Sequence, residues 1–149
     1  MPVPLIVRLL SGAQLFDVRA YEKGPFLTFS PNLGGAQSFS CIKFSNDGKL
    51  MLQSTTQGTV LLLDAYKGDL IQTFSGNDNA TGMPLEACFS ADAEYCVAGS
   101  EDGSIWRWHT RTGQALPPLK GHTGPVTALK CSPTRMMMAS ACSFLCLWL

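Results

Sequence analysis

Six cysteines, two histidines and a scatter of carboxylates are the side chains of this sequence with the potential for chemistry. Cys41, Cys88, Cys96, Cys131, Cys142 and Cys146 form no C-x-x-C pair and have no histidine cluster nearby, so a zinc site is not expected. His122 has the side chain of a general base or a metal ligand. It follows Gly121 and precedes an apolar run, the place of a structural histidine at a strand entry. Glu86, Asp92, Glu94 and Glu101 have no spacing that sets two carboxylates across a cleft as glycosidases require, and they read as loop charges. The glycine- and asparagine-rich residues 75–82 lack the following lysine and helix start that let such loops hold phosphate, and they read as a solvated connector. No G-x-S-x-G, H-E-x-x-H or Cys-His arrangement is present. The expectation is a non-enzymatic protein with no catalytic, cofactor-binding or metal-binding residues and no cofactor.

Around these residues, one slot recurs: Phe16-Asp17, Leu63-Asp64, Trp108-His109 and Trp148-Leu149 follow one another at 47, 45 and 40 residues. That spacing matches the roughly 40 to 45 residue period of a WD-repeat propeller blade, a four-stranded antiparallel sheet that presents loops to partners. The turn dipeptides Asp47-Gly48, Gln57-Gly58, Lys67-Gly68, Asp102-Gly103 and Thr112-Gly113 separate apolar runs of strand length. They predict strands a to d at residues 40–45, 50–54, 59–63 and 70–74. The next unit repeats the order at 87–90, 95–98, 105–108 and 114–116. A further unit supplies 126–131, 138–141 and 145–148, and an earlier one supplies 5–10, 13–17 and 25–29. Glycine and proline recur too often to leave room for much helix, so almost none is expected. The longest connections, 30–38 and 75–83, join a d strand to the next a strand on a rim suited to docking partners.

Composition narrows the function further. With 149 residues, 46% hydrophobic and 15% charged content, the chain has the size and make-up of one globular domain. Eleven basic residues balance eleven acidic ones, so the electrostatic steering expected of a direct nucleic-acid binder is missing. Cysteines within apolar runs read as reduced, buried thiols of an intracellular compartment. Residues 2–10 carry Arg8 amid the apolar run and lack a basic lead, which argues against a signal peptide or a membrane span. In that setting the sequon Asn79-Ala80-Thr81 is an ordinary loop sequence.

Phe44-Ser45-Asn46-Asp47-Gly48-Lys49, Asp64-Ala65-Tyr66-Lys67-Gly68, Gly99-Ser100-Glu101-Asp102-Gly103, His122-Thr123-Gly124-Pro125 and Ala139-Ser140-Ala141-Cys142-Ser143 occur in this order. Together with Leu15-Phe16-Asp17-Val18-Arg19 and Lys23-Gly24-Pro25-Phe26, they closely resemble the WD-repeat subunit of COMPASS-type histone H3 lysine methyltransferase complexes. The resemblance implies an all-β partial propeller, about three and a half blades from the C-terminal half of a seven-bladed ring. One domain, 1–149, would hold blades at about 1–29, 38–74, 84–119 and 121–149.

The resemblance also implies a nuclear scaffold that binds the methyltransferase catalytic subunit and other complex subunits. Further implied partners are the phosphorylated tail of RNA polymerase II and a phosphatase or 3′-end processing complex linked to transcription termination. Sequence-specific nucleic acid and membranes are not among them. Because the last blade would stop at its c strand with open edges, the alternative is a truncated propeller fragment without independent activity.

WD repeats often hold a hydrogen-bonded set of His before strand a, Ser or Thr in b, Asp in the b-to-c turn and Trp in c. Here Asp102 and Trp108 supply part of one set, with Ala98 at the serine position. His122, Ser140 and Trp148 supply part of the next, and no set is complete. His109 stands where Asp usually follows the c-strand tryptophan and reads as a solvent-facing turn residue. Arg107 takes a position that is Leu62 one blade earlier, so it should find a carboxylate or a carbonyl, or reach the blade edge. The candidate partner contacts are Trp106, Arg107, Asn77, Asp78 and Asn79.

Overall fold

Short apolar runs broken by tight turns can pair only with their sequence neighbours, and the described residues form three antiparallel meanders followed by a two-stranded pair. The computed structural model describes residues 4–9, 12–29 and 38–143. The first sheet contains β1 (Pro4–Leu9), β2 (Gly12–Asp17) and β3 (Leu27–Phe29). The second contains β4 (Phe39–Phe44), β5 (Leu50–Thr55), β6 (Val60–Asp64) and β7 (Leu70–Phe74). The third contains β8 (Ala87–Phe89), β9 (Tyr95–Gly99), β10 (Ser104–His109) and β11 (Ala115–Lys120). β12 (Val126–Cys131) pairs with β13 (Met138–Cys142) in the fourth. This is the all-β architecture of a partial propeller. The expected c strand at 145–148 and residues 30–37 of the first long connection lie outside the described residues.

Three expected features differ. A short 3-10 helix, Val18–Lys23, occupies the connection between β2 and β3, opened by Asp17, whose carboxylate accepts from the Arg19 amide at 3.0 Å. The d strand expected from residue 25 therefore begins at Leu27. The strand expected to end at residue 116 runs on as β11 to Lys120, through Pro117 and Pro118. Proline lacks the donor a central strand needs, but β11 is an edge strand and its register slips opposite Ile105 and Arg107, which accommodates both rings.

Successive side chains of a strand point to opposite faces, and here both faces are covered. In β6, Leu61 and Leu63 join Ala13, Leu15 and Phe29 of the first sheet. Val60 and Leu62 join Ala87, Phe89, Cys96 and Trp108 of the third. These four residues of β6 are consequently buried, each at about the 1.5–3 kcal/mol that removing such a side chain from water contributes. The seam between the third and fourth sheets is smaller: Cys88, Val97 and Ile105 meet Val126 and Leu129. There β9 ends at Gly99, and a Cβ added to it would collide with the carbonyl of Val126. Among the described residues no helix is long and apolar enough to cross a membrane.

Gly99→Ala is expected to force the third and fourth sheets apart and destabilise the chain by about 1–3 kcal/mol. A lower urea midpoint checks this; an unchanged midpoint would show that the two backbones do not press together there.

Candidate docking rim

The chain between β7 and β8 is held down by its own side chains. Asn77 and Asn79 are 8% and 7% exposed. The Asn77 amide donates to the Gly99 carbonyl at 3.3 Å. Asn79 closes a local ring, donating to the Met83 carbonyl and accepting from the Met83 amide, both at 2.8 Å. An asparagine side chain carries one donor group and one acceptor and so substitutes for a missing strand partner. The Asp78 amide donates to the Ser100 hydroxyl at 2.9 Å, the Asp78 carbonyl accepts from the Glu101 amide at 2.9 Å, and the Thr81 amide donates to the Glu101 carboxylate at 3.0 Å.

The solvated connector expected at 75–82 is thus a clamped loop, bonded to the β9–β10 turn of the next sheet. Burial of Asn77 and Asn79 turns both inward, and Asp78, Ala80, Thr81 and Gly82 remain exposed on its crest. Gly76, at φ +118°, lies against the Trp106 ring, where a Cβ would come within 2.9 Å of Cζ3.

Trp106 is half-buried and stacks with Trp108 at 6.1 Å between centroids, so its packing is largely internal. Trp108 is 2% exposed and stacks in turn on Phe74 of the preceding sheet at 5.5 Å. Arg107 is half-buried, and its Nη2 donates to the Pro117 carbonyl at 2.9 Å, so it finds a carbonyl on the edge strand. It lines a groove of about 310 Å³ with Val97, Leu116, Cys131 and Met136.

Asp102 is exposed and accepts from the hydroxyl and amide of Ser104 at 2.6 and 3.0 Å, which stiffens its own turn. The Ser104 hydroxyl, foremost among its causes, holds the Asp102 carboxyl below the ordinary aspartate value. His122 Nε2 lies 2.8 Å from the Ser140 hydroxyl and ties the strand entry to β13. Trp148 lies outside the described residues. Among the described residues no group of three or more His, Cys, Asp or Glu is placed to hold a metal ion.

On the opposite rim the structure reveals polar turns that residue-by-residue reading missed. Asp64 caps its turn by accepting from the Tyr66 and Lys67 amides at 2.8 and 2.9 Å. His109, one repeat later, accepts from the Thr112 amide through Nδ1 at 3.3 Å and is a half-buried turn cap, not merely a solvent-facing residue. Ser45 bonds Asp47 at 2.6 Å and Ser90 bonds Asp92 at 2.5 Å, the same turn 45 residues apart. Glu86, expected to be a loop charge, accepts from the Leu129 amide at 2.9 Å and lies 3.8 Å from the Lys43 ammonium, so one carboxylate just ahead of β8 ties the second sheet to the fourth. The detectable signal for the turns was the 45-residue recurrence of Ser-x-Asp and of Asp against His; nothing in the sequence marked Glu86.

The Ser45 and Ser90 hydroxyls, ahead of the backbone amides of Lys49 and Glu94, lower the Asp47 and Asp92 pKa values. Depressed carboxyl values mean that this stabilisation is fully present above the unfolded-state value of about 3.9 and is lost as pH falls through the lower folded value. The Asp47→Asn/Asp92→Asn double variant is expected to lose melting temperature at neutral pH and to show a shallower further decline in acid. Parallel melting-temperature profiles against pH for variant and parent would overturn this.

Comparison with known proteins places these elements in a lineage. The profile described as "WD domain, G-beta repeat" matches residues 68–109 and 113–148, and that described as "Anaphase-promoting complex subunit 4 WD40 domain" matches residues 5–85. WD repeat-containing protein 82 of Drosophila melanogaster is 42% identical over 137 residues, covering 91% of this chain and 43% of the relative. Protein ANTHESIS POMOTING FACTOR 1 of Arabidopsis thaliana is 39% identical over 136 residues, covering 91% and 41%. COMPASS component SWD2 of Saccharomyces cerevisiae is 28% identical over 102 residues, covering 64% and 30%. The chain spans less than half the length of these relatives. With antiparallel sheets packed in succession, two of them four-stranded, and WD-repeat profiles along most of its length, the chain belongs to the WD-repeat family.

Proposed function

We propose that the chain is a non-enzymatic scaffold that binds other proteins within a nuclear histone H3 lysine methyltransferase complex of the COMPASS type. The observation that carries this reading is the clamped 75–86 loop. Its backbone is fixed to Ser100 and Glu101 of the next sheet, while Asp78 and Thr81 stay exposed. A loop already ordered before association loses little conformational freedom on binding, so its exposed side chains gain affinity without an ordering cost. Likeness to the yeast protein named as a COMPASS component supports the choice of complex, and likeness to the Drosophila WD-repeat protein supports the scaffold reading.

In this reading the catalytic subunit of the methyltransferase docks on the crest at Asp78 and Thr81. Asn77 and Asn79 act indirectly by holding the crest up. Trp106 and Arg107 flank the site: Trp106 supports Gly76 from beneath and Arg107 marks the groove on the other face of the third sheet. The link to transcribing RNA polymerase II and to termination, through its phosphorylated tail and a phosphatase or 3′-end processing complex, belongs to the same proposal. So do the hydrogen-bonded roles of Asp102, Trp108, His122, Ser140 and Trp148 in keeping blades rigid, and the single domain at 1–149.

Asp78→Arg with Thr81→Arg keeps the backbone bonds that hold the loop at both positions and gives up only the bond of the Thr81 hydroxyl to the Glu101 carboxylate, which lies on the crest itself. The double variant is expected to keep its circular dichroism spectrum and melting temperature and to lose at least about tenfold in recovery of the methyltransferase catalytic subunit, the size of one or two interface hot spots. Equal recovery by parent and variant would refute docking on this loop.

A further inference from the structure

Two thiols from different sheets lie in contact. Cys88 of β8 and Cys131 of β12 have their sulfurs 2.8 Å apart, 43 residues apart in sequence. This contact arises from a shift in the repeat. Ser45, Ser90 and Ser132 each follow an a strand, which aligns Lys43 with Cys88 and Lys130, and Phe44 with Phe89 and Cys131. In the second seam Phe89 points back into the core shared with the second sheet. In the third, Cys88 is part of the core with Val126 and Leu129, and Cys131 packs against it. A position that is Lys43 and an aromatic position have thus both become cysteine at one seam.

The two sulfurs differ in access. Cys88 is 7% exposed, whereas Cys131 is half-buried and lines the groove of about 310 Å³ with Arg107, Arg135 and Met136. That volume is far larger than the roughly 30 Å³ share of one water, enough to admit a small hydroperoxide beside Cys131, and Cys88 is not among the residues that line it. A reachable thiol with a resolving thiol in contact is the arrangement that oxidation-sensitive pairs require.

We propose that Cys88 and Cys131 form an oxidisable dithiol site that takes small hydroperoxides as oxidant and is converted to a disulfide joining β8 to β12. The Cys131 thiolate attacks one peroxide oxygen, the O–O bond breaks, and the leaving oxygen takes a proton to depart as water or alcohol. The Cys131 sulfenic acid is then attacked at sulfur by Cys88. The S–S bond forms, the S–O bond breaks, and the hydroxide leaves with the Cys88 proton as water. Two thiols are oxidised by two electrons and one peroxide is reduced. The hydrogen bond with Cys88 lowers the Cys131 pKa and raises that of Cys88, which suits the order of events. Cys96 is an internal control: its thiol donates to the Trp108 carbonyl at 3.7 Å, and burial pushes it up to about 12.

The test uses the reduced full chain, treated with hydrogen peroxide, alkylated, and digested without reduction for mass spectrometry. The expected result is a cross-linked peptide pair containing Cys88 and Cys131, an unmodified Cys96, and a melting temperature several degrees above the reduced chain, restored by dithiothreitol. Cys88→Ser is expected to stop at the Cys131 sulfenic acid, trapped by dimedone. The cross-link measurement needs no variant, so a poorly folded Cys88→Ser chain leaves the proposal testable. Oxidation of Cys131 to the sulfinic acid without a cross-link would overturn it. So would disulfides formed mainly with Cys41, Cys96 or Cys142, or labelling of Cys131 no faster than Cys96.

Discussion

Apolar burial between neighbouring sheets is the constraint on which the rest of this molecule depends. A four-stranded meander has two faces, and the sequence makes both apolar. In β6 four successive residues, Val60 to Leu63, are each no more than 1% exposed, which is possible only because the first and third sheets cover opposite sides. No sheet holds this core by itself. Stability therefore accumulates seam by seam, as in other repeat architectures, and each seam restrains the backbone of its two sheets at once. Large aromatics reinforce these seams: Phe29 and Phe39 are buried in the first, and Phe74 and Trp108 stack across the second, one from each sheet. The third seam has smaller side chains, among them two cysteines, and a glycine where two backbones approach.

Polar groups are subordinate to these seams but decide what faces the outside. Ser45 with Asp47, Ser90 with Asp92, Asp64 and His109 close turns with short local bonds in which the carboxylates and the imidazole stay exposed or half-exposed. Such bonds set the turn path without requiring burial of charge. Asn77 and Asn79 do the opposite work, bringing amides into a nearly dry position to fix a long connection against its neighbour. Glu86, half-buried just ahead of β8, links the first strands of the two neighbouring sheets, β4 through Lys43 and β12 through Leu129. The incomplete sets around Trp108 and Trp148 in the sequence are thus accompanied by different polar devices along the described chain, each small and each tied to one turn or one seam.

Much of the architecture was legible in the residues. β7 runs over Leu70–Phe74 and β12 over Val126–Cys131, as the apolar runs between turn signals predict, because alternation and glycine turns are local properties. Strand ends near Pro25 and Pro117 were harder. Whether a proline ends a strand depends on whether the strand is at an edge, and that is settled by its neighbours. The same limit applies to side chains. Leu61 and Leu62 were readable as buried, whereas Asn77 and Asn79, with the composition of a solvated loop, gave no local sign that the next sheet would receive them.

The sequence by itself determined the repeat, the order of strands within each sheet, the turns between them and the all-β class. Each of these follows from interactions over a few residues or from a period near 45 residues. Only the tertiary structure decided what meets across the seams: Trp106 on Gly76, Glu86 on Leu129 and Cys88 on Cys131. These contacts depend on the angle and offset at which one sheet packs on the next. That packing is the sum of many side-chain volumes across a face, and no spacing along the chain encodes it.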